Sequence, residues 1–150
     1  MRAGAVILDN DLVALIERFR EGKHYFVFPG GGVKRKETIE ETVVREVLEE
    51  TGLEVVVDRL LAEIHFRDEK QYYFLVDFVG GIFRSGKGRE MVGLAPPEYG
   101  KYICVWKKIT GLSTLNGFPR PLFEFVSRFP DEGIPERAIF LQAPGGILAS

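Results

Sequence analysis

The stretch from residue 31 to residue 53 constrains the fold of this chain most, because it joins a run of glycines to an acidic helical pattern. Thr38 is followed three residues later by Glu41, and this pair predicts a capping box with Thr38 as the helix N-cap. Gly52 predicts the left-handed residue that ends the helix. An apolar run precedes Gly30–Gly32, so the predicted order is strand, glycine loop and helix.

The predicted helix has an apolar face and an acidic face. Aliphatic side chains recur at helical spacing and predict the face that packs on the core, namely Ile39, Val43, Val44, Val47 and Leu48. Glu46, Glu49 and Glu50 project together on the other side, where like charges cost roughly 0.2–0.5 kcal/mol per pair. Arg45 can bridge to Glu41 or Glu49, but one cation does not neutralise the cluster. A hard divalent cation would, so a metal site is predicted where the glycine loop meets the helix.

The spacing of the whole stretch resembles the Nudix box, which is written Gly-x5-Glu-x7-Arg-Glu-U-x-Glu-Glu-x-Gly-U, with U a bulky aliphatic residue. Every specified position is occupied as the pattern requires, from Gly31 to Leu53. One local departure is Lys36, because many such boxes have glycine just before the first glutamate. The chain therefore resembles the Nudix hydrolase family. The resemblance implies an α+β fold, an α/β/α sandwich whose mixed β-sheet carries the Nudix helix and a C-terminal helix.

The same resemblance implies an enzyme, a pyrophosphohydrolase that cleaves a phosphoanhydride bond with metal-activated water and uses Mg²⁺ or Mn²⁺. Glu49 and Glu50 match the glutamate pair that binds the metal in this family. Glu46 matches a further metal ligand or the general base, and the carbonyl of Gly31 matches a backbone ligand. Arg45 matches the arginine that orients these glutamates by ion pairing.

Two other positions of the motif are structural. Glu37 matches a structural glutamate that holds the loop against the helix, and Gly52 is structural as well. The candidates for substrate contact in or beside the motif are Gly30, Gly32 and Lys34. The basic run at residues 34–36 has two interpretations, attraction of a polyphosphate or a solvated loop.

Residues 80–97 form a long glycine-rich stretch without periodicity, which is typical of a functional or disordered loop. Members of this family often use a further glutamate outside the box, and Glu98 is the preferred candidate, with Glu90 as the alternative. Three aromatic residues in or just after this stretch could stack on a nucleobase, namely Phe83, Tyr99 and Tyr102. The alternative for each is packing in the core or at its rim.

The sequence leaves the substrate open. The family resemblance implies a nucleoside diphosphate linked to another moiety, such as a nucleoside triphosphate or a dinucleoside polyphosphate. Two alternative functions remain. The chain could hydrolyse a non-nucleotide diphosphate, or it could be a catalytically silent regulatory module that binds nucleotides. No proline stands near residue 69, where the ADP-ribose hydrolases of this family are expected to carry one. Family analogy also implies a possible homodimer.

Length, charge and cysteine content give expectations for the number of domains, the partners and the location of the chain. A length of 150 residues predicts one domain over residues 1–150, with a flexible tail from about residue 143. The net charge of −2 predicts no general attraction to a nucleic-acid polymer or an anionic membrane. The single cysteine, Cys104, excludes an intrachain disulfide and a multi-cysteine zinc site. With no signal-peptide pattern and no apolar run of transmembrane length, a cytoplasmic location is expected.

The rest of the chain is predicted to be mainly strands. Apolar runs bounded by turn residues mark residues 2–8, 12–16, 24–28, 53–57, 60–66, 71–79 and 99–106. A second helix is predicted over residues 122–129, ended by Pro130. Residues 19–23 are predicted to be a loop, and residues 134–141 are ambiguous.

Overall fold

The computed structural model of the chain describes residues 1–88 and 100–143. The strands within these residues are β1 Arg2–Asp9, β2 Leu12–Arg20, β3 Lys23–Val27, β4 Gly30–Gly32, β5 Leu53–Phe66, β6 Glu69–Gly81, β7 Lys101–Lys108, β8 Gly117–Phe118 and β9 Ile139–Gln142. The helices are α1 Ile39–Thr51, a 3-10 helix Ile109–Thr114, α2 Arg120–Ser127 and α3 Phe129–Glu132. None of the helices in the described ranges is both long and apolar enough to cross a membrane.

Strand β1 lies at the centre of a mixed sheet. It runs parallel to β6 from the Arg2–Gln71 pair to the Ile7–Val76 pair. Its first residues also pair with β4, and its last two residues pair with β2 in a hairpin that the turn residues predicted. Beyond β6 the order continues to β5 and β9. On the other side of β1, β2 pairs with both β3 and β7, and β3 pairs in turn with β8.

Two apolar clusters fill the two sides of this sheet. Neighbouring residues of β1 alternate between them, because successive side chains of a strand point to opposite faces. Val6 belongs to the cluster under α2 and the 3-10 helix, while Ala5 and Ile7 belong to the cluster under α1. The predicted α+β fold, a mixed sheet with helices packed on it, is therefore confirmed.

Helix α1 begins and ends where the sequence predicts. The Glu41 backbone N–H donates to the Thr38 hydroxyl oxygen at 3.0 Å, and the Thr38 N–H donates to the Glu41 carboxylate at 2.8 Å. Gly52 ends the helix with a φ of 83°, in the left-handed region that glycine adopts at little cost. The capping box and the terminal glycine are both confirmed.

The buried face of α1 is narrower than the apolar pattern predicts. Val43 and Val47 are fully buried against the sheet, and Ile39 is half-buried beside them. Val44 and Leu48 are 39% and 47% exposed, so their predicted burial is wrong. Each follows a contact residue by one position, and one position turns a side chain by roughly 100° around a helix.

Several strands are longer than predicted. The loop predicted at residues 19–23 is wrong, because β2 continues to Arg20 and β3 begins at Lys23. The glycine run is not a loop but the short strand β4, which pairs with the start of β1. Strand β5 is continuous where two strands were predicted, and register shifts near Val57 and Leu60 mark the interruption. Pairing with neighbours far along the chain provides the hydrogen bonds that extend these strands.

The C-terminal part differs from the prediction in one respect. Helix α2 ends at Ser127, and Pro130 lies in the first turn of α3 instead of ending α2. A proline is accepted there because the first helical N–H groups have no partner within the helix. Ala143, where the predicted tail begins, is buried and donates its N–H to the His65 carbonyl at 3.0 Å. Residues 144–150 lie outside the described ranges, so the tail stays a prediction.

The capping box at Thr38 gives a test of this description. We expect Thr38→Ala to lower the free energy of unfolding by about 1 kcal/mol, because the N–H of Glu41 then loses its acceptor. The measurement is urea denaturation followed by circular dichroism. Thr110→Ala, which removes an exposed threonine from the 3-10 helix, is the control and should change the stability by less than about 0.5 kcal/mol. Equal effects of the two changes would contradict the capping assignment.

Candidate active site

The acidic face of α1 lies against the glycine strand β4. The backbone N–H of Gly30 donates to Glu50 Oε1 at 2.7 Å, and Glu50 is only 8% exposed. The carboxylate of Glu46 lies over Gly31 so closely that a Cβ on Gly31 would overlap it. A side chain at residue 31 would therefore displace the Glu46 carboxylate from this position. Two of the three predicted carboxylates stand at the predicted junction of glycines and helix.

Arg45 links the loop to the acidic face. Its Nε and Nη2 donate to the two carboxylate oxygens of Glu37 at 2.7 and 2.9 Å. Its Nη1 donates to Glu46 at 3.2 Å and to Glu49 at 3.4 Å, and Nη2 also donates to the Gly32 carbonyl at 3.3 Å. Of the two bridges predicted from spacing, the one to Glu49 is therefore present. The bridge to Glu41 is absent from the described salt bridges, and the Glu41 carboxylate is used in the capping box.

Glu37 is fixed by more than this one arginine. The hydroxyl of Thr42 donates to Glu37 Oε1 at 2.7 Å, and the backbone N–H of Lys34 donates to the same oxygen at 3.1 Å. The hydrogen bonds from Arg45 and then from Thr42 hold the pKa of the Glu37 carboxyl well below its usual range. The hydrogen bond to Glu37 in turn raises the pKa of Arg45. The loop is thus tied to the helix by a charged network.

Lys36, where many Nudix boxes have glycine, adopts a backbone conformation that favours glycine. Lys36 has a φ of 68°, which lies in the left-handed region that favours glycine. A glycine at this position would adopt the same backbone with less strain. Lys34 is exposed, and its described hydrogen bonds join its backbone to Glu37: its N–H donates to the Glu37 carboxylate, and its carbonyl accepts from the Glu37 N–H. Its predicted contact with a substrate stays a prediction.

The described residues do not form a ready-made metal cage. Among them, no group of three histidine, cysteine, aspartate or glutamate side chains lies close enough together to hold a metal ion. Glu46 and Glu50 each lie against a different glycine, and Arg45 contacts both Glu46 and Glu49. The donor set is nevertheless all oxygen and mostly anionic, which fits a hard cation such as Mg²⁺ or Mn²⁺ better than a soft one.

The structure shows where the start of the predicted glycine-rich loop packs, which the sequence did not predict. Residues 82–88 pack on the C-terminal end of α1, where helix carbonyls otherwise lack partners. The backbone N–H of Arg84 donates to the Thr51 carbonyl at 2.8 Å, and that of Gly88 donates to the Glu49 carbonyl at 2.9 Å. The start of the long glycine-rich stretch is therefore ordered beside two of the predicted catalytic glutamates. The glycines in the run at residues 85–88 were the available signal for this close packing.

Another group that the sequence did not predict lies around Arg18 of β2. Arg18 is only 3% exposed, and its guanidinium lies 3.8 Å from the ring centroid of Tyr102 and 5.6 Å from that of Tyr25. The three residues are neighbours in register on β2, β3 and β7. A buried cation between aromatic faces is stabilised by the ring quadrupoles. No periodicity in the sequence brings these three strands together, so the group was not predicted.

The remaining candidates divide between packed residues and residues beyond the described ranges. The ring of Phe83 stacks on Trp106 with centroids 4.9 Å apart, which is the packing alternative of its prediction. Cys104 is buried, as predicted, and burial raises the pKa of its thiol. Glu98, Tyr99 and the alternative Glu90 lie outside the described residues.

The network around Glu37 predicts a pH-dependent contribution to stability. Because the folded-state pKa of Glu37 is lowered, its contribution is fully present above about pH 4.3, the ordinary pKa of glutamate, and is lost as the pH falls. We expect Glu37→Gln to lower the thermal midpoint most at pH 7, with a difference from wild type that shrinks between about pH 4 and pH 2.

Glu136→Gln removes an exposed glutamate far along the chain and serves as the control. Its thermal midpoint should follow that of wild type across the same pH range. A difference between wild type and Glu37→Gln that stays constant from pH 7 to acid would contradict the assignment.

Known proteins resemble the chain in sequence and in fold. The model of the NUDIX domain family matches residues 1–109. An ADP-ribose pyrophosphatase of Methanocaldococcus jannaschii is 35% identical over 89 residues, which cover 55% of this chain and 53% of that protein. The match to this relative thus takes in only about half of its length.

Solved structures share the fold at low sequence identity. A NUDIX hydrolase from Nitrosomonas europaea has a TM-score of 0.70 at 16% identity, covering 94% of this chain and 76% of its own. The MutT protein of Bacillus halodurans has a TM-score of 0.61 at 24% identity, covering 99% of this chain and 94% of its own. With the family match over most of its length and the motif placed at the glycine strand and α1, the chain belongs to the NUDIX domain family.

Proposed function

We propose that the chain hydrolyses a phosphoanhydride bond in a nucleoside diphosphate linked to another moiety, and that it uses Mg²⁺ or Mn²⁺. The observation that carries the proposal is the seating of the Glu46 and Glu50 carboxylates against Gly30 and Gly31. Partly buried carboxylates are costly unless a cation or hydrogen-bond donors compensate them. Membership of the NUDIX family supports the same reaction class.

Each part of the site has a role in this proposal. Glu46, Glu49, Glu50 and the Gly31 carbonyl would hold the cation, which when bound supplies neutralisation of phosphate oxygens and activation of the attacking water. One of the three carboxylates accepts the proton of that water, and Glu46 is the first candidate. Arg45 contacts Glu46 and Glu49 and so would hold both carboxylates in position, with that of Glu46 against Gly31.

The substrate class is inferred from a relative of known name. A relative that is an ADP-ribose pyrophosphatase favours a nucleoside diphosphate joined to a sugar, although no proline stands near residue 69. Nucleoside triphosphates and dinucleoside polyphosphates belong to the same proposed class.

The experiment is a substrate panel with the 150-residue chain. ADP-ribose, other nucleoside diphosphate sugars, the nucleoside triphosphates, dinucleoside polyphosphates and a non-nucleotide diphosphate are each incubated with Mg²⁺, with Mn²⁺ and with a chelator. We expect cation-dependent release of a nucleoside monophosphate from at least one nucleotide. Turnover of the non-nucleotide diphosphate alone would overturn the substrate class. Binding without turnover in every case would favour a silent nucleotide-binding module.

The active nucleotide then tests the glutamate assignment. Glu50→Gln keeps an oxygen for the Gly30 N–H but removes the charge, so the fold should persist while kcat falls by about 10²-fold or more. Glu40→Gln, an exposed change in the first turn of the same helix, is the matched control and should leave kcat within about twofold. Near-normal turnover in a folded Glu50→Gln variant would contradict the assignment.

A further inference from the structure

A small recess opens beside Glu50 at the C-terminal end of α1. It has a volume of about 160 Å³ and is lined by Glu50, Arg84, Gly86, Tyr102, Ile103 and Cys104. A site for a whole small molecule has roughly 300–1,000 Å³, so this recess suits one group of a larger ligand. The positively charged Arg84 and the carboxylate-bearing Glu50 thus line the same small recess, at the edge of the acidic face of α1.

The segment that carries Arg84 is held firmly at this position. Its backbone N–H donates to the Thr51 carbonyl at 2.8 Å, and the N–H of Gly88 donates to the Glu49 carbonyl at 2.9 Å. Gly86 lies so close to Glu49 and Glu50 that a Cβ there would stand 2.5 Å from the Glu49 carbonyl oxygen. The backbone of this segment is therefore fixed by the same turn of α1 that bears the two glutamates.

The side chain of Arg84 is fixed as well. Its Nε donates to the Cys104 carbonyl on β7 at 3.0 Å, so the guanidinium bridges from the end of α1 to the neighbouring strand. In the part of the chain that the structure describes, no carboxylate forms a salt bridge with Arg84. An arginine that is anchored through Nε still has two terminal nitrogens that can bind two oxygens of one phosphate.

The backbone of Arg84 decides which variants can test its side chain. Its φ is 72°, in the left-handed region where a side chain causes strain and glycine does not. Arg67 has a similar φ of 53° in the turn between β5 and β6, at the other end of β5 from α1. It therefore offers a matched comparison without a place at the recess.

We propose that Arg84 binds a phosphate oxygen of the substrate's diphosphate in the recess beside Glu50. The proposal rests on the proposed function, because it assigns a further residue to the same site. The Arg84 guanidinium would give the diphosphate a second positively charged partner, in addition to the divalent metal ion of the proposed function. It also constrains how the diphosphate is oriented, because a planar guanidinium binds phosphate in few geometries.

The test compares four variants with wild type, namely Arg84→Gln, Arg84→Lys, Arg84→Gly and Arg67→Gln. The first probe is the affinity for an α,β-methylene nucleoside diphosphate with Mg²⁺, measured by calorimetry. The second is kcat and KM for the best substrate of the panel, and the third is the thermal midpoint. Arg84→Gly is included because glycine suits the backbone at this position, so it removes the side chain without adding strain.

We expect Arg84→Gln and Arg84→Gly to weaken binding of the analogue by about tenfold to hundredfold, as for the loss of a charged hydrogen bond. KM should rise more than kcat falls. Arg84→Lys should recover part of the lost affinity, because lysine keeps the positive charge but lacks the planar set of N–H donors of the guanidinium. Arg67→Gln should leave both constants within about twofold of wild type, and Arg84→Gly should keep or raise the thermal midpoint.

The outcomes separate this inference from the proposed function. If wild type turns substrate over and Arg84→Gln and Arg84→Gly match it in binding and KM, the inference is wrong and the hydrolase proposal stands. If wild type binds the analogue without turnover and both variants bind it weakly, Arg84 keeps its role and the hydrolase proposal is wrong. A loss in Arg84→Gln together with normal binding in Arg84→Gly would mean that strain, not phosphate contact, causes the effect, and would overturn the inference. No binding and no turnover in wild type would overturn both.

Discussion

The approach of the α1 carboxylates to the glycine strand is the contact on which the rest of the site depends. A side chain on Gly31 would occupy the space of the Glu46 carboxylate, and the Gly30 N–H donates to Glu50. Strand β4 is in turn held by β1, the central strand of the sheet. The position of the acidic face is therefore set by the core of the fold and not by a mobile loop.

Arg45 explains how an acidic cluster persists on one face of a helix. Its guanidinium binds Glu37 through two hydrogen bonds and also reaches Glu46 and Glu49. Like charges at this spacing repel on a helix, and Arg45 offsets part of that repulsion by sharing its guanidinium among three carboxylates. A bound divalent cation, as proposed above, would offset it further.

Local patterns in the sequence were sufficient for the helix and its motif. The capping box at Thr38 and the terminal Gly52 depend on neighbours a few residues away, and both are confirmed. Strand lengths and the packing of residues 82–88 depend on partners far along the chain, which periodicity does not report. The exposure of Leu48 shows the same limit, because an apolar residue is buried only where another element covers it.

The central claim is that the acidic face of α1 binds a divalent cation, and a direct Mn²⁺ titration tests it. The electron paramagnetic resonance signal of free Mn²⁺ falls when the ion binds to protein. We expect wild type to reduce this signal and a variant with glutamine at Glu46, Glu49 and Glu50 to leave it unchanged, with both proteins folded by circular dichroism. Equal Mn²⁺ binding by the two proteins would contradict the account.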